Sequence, residues 1–413
     1  MAGNGGRCLL VANTFPPVIG GSSNVYENLA RRAAGEIVVL TSRLDHRTGA
    51  PLAGCAAHDA AAPYPIHRID LVRPPLAGTA AGRSWRRLVR EVRIAIDLFR
   101  TVAVLVRKYR IGVVCVADDE TVGWLVPAAK RLLRRAAIVY CHGDDLVETD
   151  PRRIRRRRRW FDAADAVVAA SGFARDRLAD PYGVPPSKIA TIPNGVDLDR
   201  FRPQAPPPDL AARYGIGAGH GHVLLAASRL VPRKGIDRTL QALPSVLAAH
   251  PDLVCLIVGD GEQRAALERL ATDVGVAHAV RFAGAVPPEA MPAHYALADI
   301  VVLPNRRAAV ATPAGGGDED GMPLVFLEAN ACGKPAVGGR AGGTPEAIVD
   351  GENGLLVDGD DPAAIADALL RLLGDATLYE RLKAGALAAA RRADWSERTA
   401  AFLALCQRLG ARS

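Results

Sequence analysis

A chain of 413 residues, 49% of them hydrophobic, is long enough for two domains, each with its own core. It holds no apolar run of 18 residues, so no membrane-spanning helix is expected, and Met1–Val11 lacks the long apolar stretch of a secretory signal. The net charge of +8 is uneven: residues 1–200 carry 31 basic against 20 acidic residues, and the remainder is slightly acidic. A basic half of this kind suits an anionic partner.

In chain order, short apolar runs alternate with amphipathic stretches. In the first half Cys8–Ala12, Ile37–Leu40, Val113–Ala117, Ala136–Cys141 and Ala166–Ala170 read as strands, with helices over Asn24–Ala33, Trp85–Lys108 and Thr121–Arg134. Pro203–Gly221, with four prolines and four glycines, breaks regular structure and reads as a linker. Beyond it, His222–Ala227, Leu253–Val258, Ala279–Ala283, Ile300–Leu303 and Pro335–Gly338 read as strands, with helices over Ile236–Ala249 and Glu262–Thr272. The alternation predicts an α/β protein of two Rossmann-like, doubly wound parallel-sheet domains. They take residues 1–203 and 222–394, joined by 204–221, and a C-terminal helix within 395–413 is expected to return to the first domain. Ligands of such sheets lie beyond the carboxyl ends of the strands, so the chemistry is expected in loops around a central cleft. The seven cysteines stand singly at no metal-ligand spacing, which reads as reduced core thiols of a cytoplasmic protein.

Several loops after strands carry suitable residues. Acidic Asp318, Glu319 and Asp320 precede a helix beginning near Leu324, whose free N–H groups suit a diphosphate. Glu328, one turn along, can accept two hydrogen bonds from a ribose diol. Arg229 and Lys234 in Ser228–Gly235 can neutralise charge growing on a leaving diphosphate. Gly20 and Gly21 permit close backbone approach, and Ser22 to Asn24 can cap the helix that follows. His142 follows the strand Ala136–Cys141; Gly259 and Val286 follow two others. Taken singly, these read as a solvated basic turn, an exposed acidic loop or a structural histidine. Their shared place after strands is what joins them. Asp118 to Glu120 reads as a loop or helix cap, not a metal site.

Asp320, seven residues and Glu328, then Gly333, Lys334 and Pro335, then Gly338 to Gly343, resemble the signature of the retaining GT-B glycosyltransferases of carbohydrate-enzyme family four, the group 1 glycosyltransferases. The resemblance covers nearly the whole chain and is strongest over 222–358. It implies metal-independent transfer, with retention, of a hexose or amino-hexose from a UDP-, GDP- or ADP-sugar to an acceptor hydroxyl, with no cofactor beyond the donor. It gives His142, Arg229, Lys234 and Asp320 catalytic roles. It gives Gly20, Gly21, Gly259, Val286, Met322, Pro323, Leu324, Val325 and Glu328 donor contacts. Two residues depart from the pattern. Asp320 is a methylene shorter than the usual Glu, with Glu319 beside it as a substitute, and Pro323 replaces a Gly and donates no N–H.

The acceptor is left open between a lipid headgroup, another cell-envelope glycoside and a natural product. Two other classes fit the same residues: a nucleotide-sugar epimerase or phosphorylase on this fold, and a non-catalytic sugar-nucleotide-binding or membrane-docking protein. The run Arg152–Arg159 reads either as solvated surface or as a dock for anionic lipid at the inner face of a membrane. An aromatic content of 5% argues against a nucleic-acid surface.

Overall fold

The computed structural model describes residues 6–74, 85–117, 119–217, 221–309 and 317–411. The chain forms two compact units, one of Met1–Asn194 with Trp395–Ser413 and the other of Gly195–Asp394.

The first unit holds β1 (Cys8–Val11), β2 (Ile37–Ser42), β3 (Ile66–Ile69), β4 (Val113–Val116), β5 (Ala136–Cys141), β6 (Ala166–Ala169) and β7 (Ile189–Thr191). They form one parallel sheet in the order β3-β2-β1-β4-β5-β6-β7. Every residue of β1, β2, β4, β5 and β6 is buried, as a sheet covered on both faces requires. The helices are α1 (Gly21–Arg32), α2 (Cys55–Ala61), α3 (Trp85–Lys108), α4 (Asp119–Val122), α5 (Leu125–Arg131), α6 (Pro151–Ala163) and α7 (Gly172–Ala179), with the C-terminal helix Trp395–Gly410 against α1. Local chemistry fixes several starts. Asp150 accepts from the backbone N–H of Arg152 with Pro151 at the first helical position, and Ser171 accepts from Ala174.

The second unit holds α8 (Pro208–Arg213), β8 (Val223–Ala227), α9 (Ile236–Ala249), β9 (Val254–Val258), α10 (Arg264–Asp273), β10 (Val280–Gly284), α11 (Met291–Leu297) and β11 (Ile300–Leu303). It continues with the short antiparallel pair β12 (Ala308–Ala309) and β13 (Gly317–Asp318), α12 (Leu324–Ala331), β14 (Ala336–Gly339), α13 (Thr344–Ala347), β15 (Gly354–Val357), α14 (Pro362–Gly374) and α15 (Ala376–Arg391). Its parallel sheet runs β10-β9-β8-β11-β14-β15. In both sheets the strand order reverses beside the first strand, between β1 and β4 and between β8 and β11. That reversal opens a crevice for ligands beyond the strand ends.

Four expectations change. The stretch Thr121–Arg134 is two short helices, because Pro127 lacks an N–H and its ring crowds the carbonyl four residues back. Ser22 to Asn24 do not cap α1: Gly20 is the cap residue, with no side-chain bond, and the Ser23 hydroxyl donates 2.7 Å to the Val18 carbonyl. The stretch Pro203–Gly221 is not structureless, since α8 forms within it and Tyr214 is buried with its hydroxyl 3.0 Å from His294. Val196 and Phe201 already belong to the second unit's core, so the units divide after Asn194 and not at residue 203. Asp118, Gly219, Gly315 and Gly316 lie outside the described residues. None of the seven cysteines forms a disulfide, and six of them are buried.

Candidate functional site

At the carboxyl edge of the second sheet, the turns after β8 and β11 flank the reversal point. A single turn of 3-10 helix, Pro232–Lys234, follows β8 and carries two adjacent cations. Lys234 Nζ lies 2.9 Å from each carboxylate oxygen of Asp320. Arg233 Nε donates to Asp320 Oδ1 at 2.8 Å, and its Nη1 reaches Asp318 at 2.7 Å. Asn305, two residues beyond β11, donates its amide to the second oxygen of Asp320. Gly342, at φ +55, backs this loop: a Cβ there would sit 2.0 Å from the Asp320 carbonyl oxygen.

Burial alone would raise the Asp320 pKa, but Lys234 and Arg233 outweigh it and hold the carboxyl below its ordinary value. Arg233 is likewise buried, and Asp320 and Asp318 overcome that burial to raise its pKa. The result is a carboxylate that stays ionised, fixed among two cations and an amide.

Asp320 thus meets the lysine directly with both oxygens. Pro323 is the cap residue of α12 and makes no side-chain cap bond. The first turn of α12 is thus open for an anion at Leu324 and Val325, which, with Met322 and Val286, pack partly buried on the core. One turn on, Glu328 accepts 2.7 Å from the Tyr295 hydroxyl. Burial pushes its pKa up to about 7, against the pull of Tyr295 and Arg200. Arg229 lies exposed after β8. Gly259 follows β9 at φ +133, and a Cβ there would sit 1.8 Å from the Ser228 carbonyl oxygen, so a packing demand of the unit itself explains the glycine.

In the first unit, His142 follows β5 and its Nε2 is 2.7 Å from the hydroxyl of Tyr26 on α1. That hydroxyl also contacts the Ala117 carbonyl, at the end of β4, at 3.1 Å. The backbone N–H groups of His142 and Gly143 donate to Asp145 at 3.0 and 2.7 Å. Burial lowers the His142 pKa, with Asp144 opposing, which favours the neutral ring. Gly20 and Gly21 have open space where a Cβ would stand, so nothing inside the unit demands glycine there.

The run Arg152–Arg159 is not one solvated face. Arg157 is 2% exposed, donates to the Asp145 carbonyl and to the Tyr182 hydroxyl at 3.0 Å, and lies over the rings of Tyr182 and Phe161. It braces the His142 loop from behind. The other arginines of the run are exposed, although Arg153 faces Glu148 at 3.3 Å and Glu120 at 3.7 Å.

Asn305, Tyr295 and Tyr26 carried no local signal in the sequence, Arg233 only that of standing beside Lys234, and Arg157 was read only as one of a basic run.

Two doubly wound parallel sheets of this kind, with polar side chains gathered beyond the strand ends, are the GT-B fold of glycosyltransferases. A solved structure of similar fold is that of Anabaena HepE in complex with UDP, with a TM-score of 0.74 at 19% identity over 98% of this chain and 100% of that one. The family model for glycosyl transferases group 1 matches residues 218–388, and that for Glycosyltransferase Family 4 matches residues 19–200. The chain is 35% identical, over 89% of its length and 89% of the relative, to a GDP-mannose-dependent alpha-(1-6)-phosphatidylinositol monomannoside mannosyltransferase of Mycolicibacterium smegmatis. It is 31% identical, over 94% of each chain, to a GDP-mannose-dependent monoacylated alpha-(1-6)-phosphatidylinositol monomannoside mannosyltransferase of Corynebacterium glutamicum. The chain belongs to the group 1 glycosyltransferases.

Proposed function

We propose that this enzyme transfers mannose from GDP-mannose to a hydroxyl of a phosphatidylinositol mannoside, with retention of configuration and without a metal ion. The observation that carries the reading is the Lys234–Asp320 pair beyond the switch-point strands, with the start of α12 and Glu328 following it in the chain. The named activities of relatives aligned over almost their whole length support the choice of donor and acceptor.

In this reading the second unit binds the donor. Arg229, Lys234 and the first N–H groups of α12 stabilise the departing diphosphate. The ammonium of Lys234 has three hydrogens, and Asp320 occupies at most two, so one remains for phosphate. Ionised Asp320 faces the positive charge that develops at the anomeric carbon. Glu328 accepts from the ribose hydroxyls, and His142 of the first unit meets a substrate hydroxyl.

The test is a panel of GDP-, UDP- and ADP-sugars scored by thermal shift, followed by product analysis with and without acceptor. GDP-mannose is expected to raise Tm most, by the equivalent of about 2.7 kcal/mol at a hundredfold excess over Kd. Mannolipid is expected only when donor and acceptor are both present, at a rate unchanged by EDTA. Preference for a UDP-sugar, or sugar conversion without acceptor, would overturn the assignment.

Glu328 gives this reading a pH signature. Its carboxyl is protonated below about 7 and ionised above, and the ionised form is the better acceptor for a diol. GDP affinity by calorimetry is therefore expected to rise between pH 6 and 8 and then level off, with the step absent in Glu328→Gln.

A lipid acceptor calls for a membrane-facing surface, and α3 fits it better than the Arg152–Arg159 run. Among the described residues no helix is long and apolar enough to cross a membrane. Trp85, Leu88, Val92 and Ile96 are all exposed at helical spacing along α3, Trp85 by 75%. Exposed Arg86, Arg90, Arg93 and Arg100 stand beside them. An apolar stripe flanked by arginines suits an anionic bilayer, with the helix lying in the interface. Replacing Trp85, Leu88 and Val92 by Ser is expected to abolish co-sedimentation with phosphatidylglycerol-containing vesicles. Replacing Arg152, Arg155 and Arg159 by Ser is expected to weaken it less.

A further inference from the structure

We infer that Tyr26 is a positioning residue that fixes the tautomer of His142, so that His142 Nδ1 presents a lone pair to a substrate hydroxyl. The inference rests on the reading above that His142 meets substrate, and names the form in which it does so.

The argument is a count of protons. The phenol of Tyr26 has one hydrogen and two polar neighbours, the Ala117 carbonyl at 3.1 Å and His142 Nε2 at 2.7 Å. A carbonyl can only accept. Ala117 directly follows β4, and its oxygen has no other donor among the described residues. If the phenol hydrogen pointed to the imidazole, that half-buried carbonyl would face the phenol's lone pairs with no donor among the described residues. The arrangement that satisfies all three groups has Tyr26 donating to Ala117 and His142 donating its Nε2–H to Tyr26. A neutral imidazole with hydrogen on Nε2 carries its lone pair on Nδ1. No described side chain or backbone group occupies that nitrogen.

The surroundings hold the ring in this state. Tyr26 and Tyr140 both lie against it, with ring centroids 5.2 Å from that of His142. Asp145 holds the His142 backbone and Arg157 holds Asp145, so four polar contacts fix the backbone from which the ring projects. The chain from Nε2 ends on a carbonyl, which cannot take a proton. His142 therefore serves as an oriented acceptor and not as one end of a proton relay.

Nitrogen NMR of the histidine-labelled enzyme tests this directly. Wild type is expected to show His142 protonated at Nε2 and bare at Nδ1, whereas Tyr26→Phe is expected to show a mixture or the other tautomer. Phe keeps the edge-to-face packing of Tyr26 on Tyr140 at 5.7 Å, and far-UV circular dichroism checks the fold. In transfer assays with GDP-mannose, Tyr26→Phe is expected to lower kcat by about tenfold or more with donor KM changed less than about threefold, because orientation and not binding is lost. A wild-type spectrum with hydrogen on Nδ1 overturns the inference whether or not the variant folds. A Tyr26→Phe enzyme with wild-type tautomer and wild-type kcat also overturns it. If His142→Ala keeps full activity, the reading of His142 as a substrate contact is what fails, and the tautomer measurement still stands by itself.

Discussion

Asp320→Asn is expected to cut transfer by at least about a hundredfold and to destabilise the second unit by about 3 kcal/mol, because removing one partner of a buried ion pair strands the others. The carboxylate is 8% exposed and is shared by Arg233, Lys234 and Asn305. An amide of the same shape leaves Lys234 without its counter-charge and Arg233 with Asp318 alone, and it sets an amide hydrogen toward a cation or the Asn305 amide. The pH dependence identifies the mechanism. The pKa of Asp320 is lowered in the folded unit, so its stabilisation is fully present above the unfolded value of about 4 and is lost as pH falls through the lower folded value. The gap in Tm between wild type and Asp320→Asn is therefore expected to be wide at pH 7 and to narrow steadily below pH 4. Equal melting temperatures at pH 7 would show that the ion pairs contribute nothing.

The same residues show what a linear sequence does and does not disclose. The fully buried strands β1, β5, β8 and β11 were legible because a strand covered on both faces is an unbroken apolar run. The strands β3 and β7 were not: they are partly exposed and carry His67, Arg68 and Thr191, so no apolar run marks them. The linker was misplaced for the converse reason. Its prolines are real breaks, but Phe201 and Tyr214 on either side of them are anchored in a core that composition cannot reveal. In the candidate site, Glu328 was picked out by a local pattern, a helix start with a carboxylate one turn later, Lys234 by its turn after a strand, and Asp320 by the family resemblance. What the site is built on could not be read in these ways. Arg233 meets Asp320 across 87 residues, Tyr295 meets Glu328 across 33, and His142 meets Tyr26 across 116. Those pairs exist only because strand order brings separate helices and turns to one edge of a sheet. Gly259 shows a demand that spacing does not reveal: the carbonyl of Ser228 by itself requires a glycine there.

Lys234→Ala is expected to lower transfer by at least about a hundredfold, comparable to the loss of one preorganised donor to developing negative charge, while the fold survives. The two variants separate the roles that the ion pair combines. Without Lys234, Asp320 keeps Arg233 and Asn305, so the melting temperature is expected to fall less than in Asp320→Asn. Donor affinity behaves in the opposite order. Lys234→Ala removes a cation from the diphosphate and is expected to weaken GDP binding by about tenfold, whereas Asp320→Asn, which releases Lys234 from its partner, is expected to leave GDP binding equal or tighter. Calorimetric titration of GDP into both variants reads this crossing. It arises only if Lys234 divides its charge between a carboxylate and a phosphate. If both variants bind GDP as wild type does, Lys234 is a structural counter-ion of Asp320, and the cation that meets the diphosphate must be Arg229 alone.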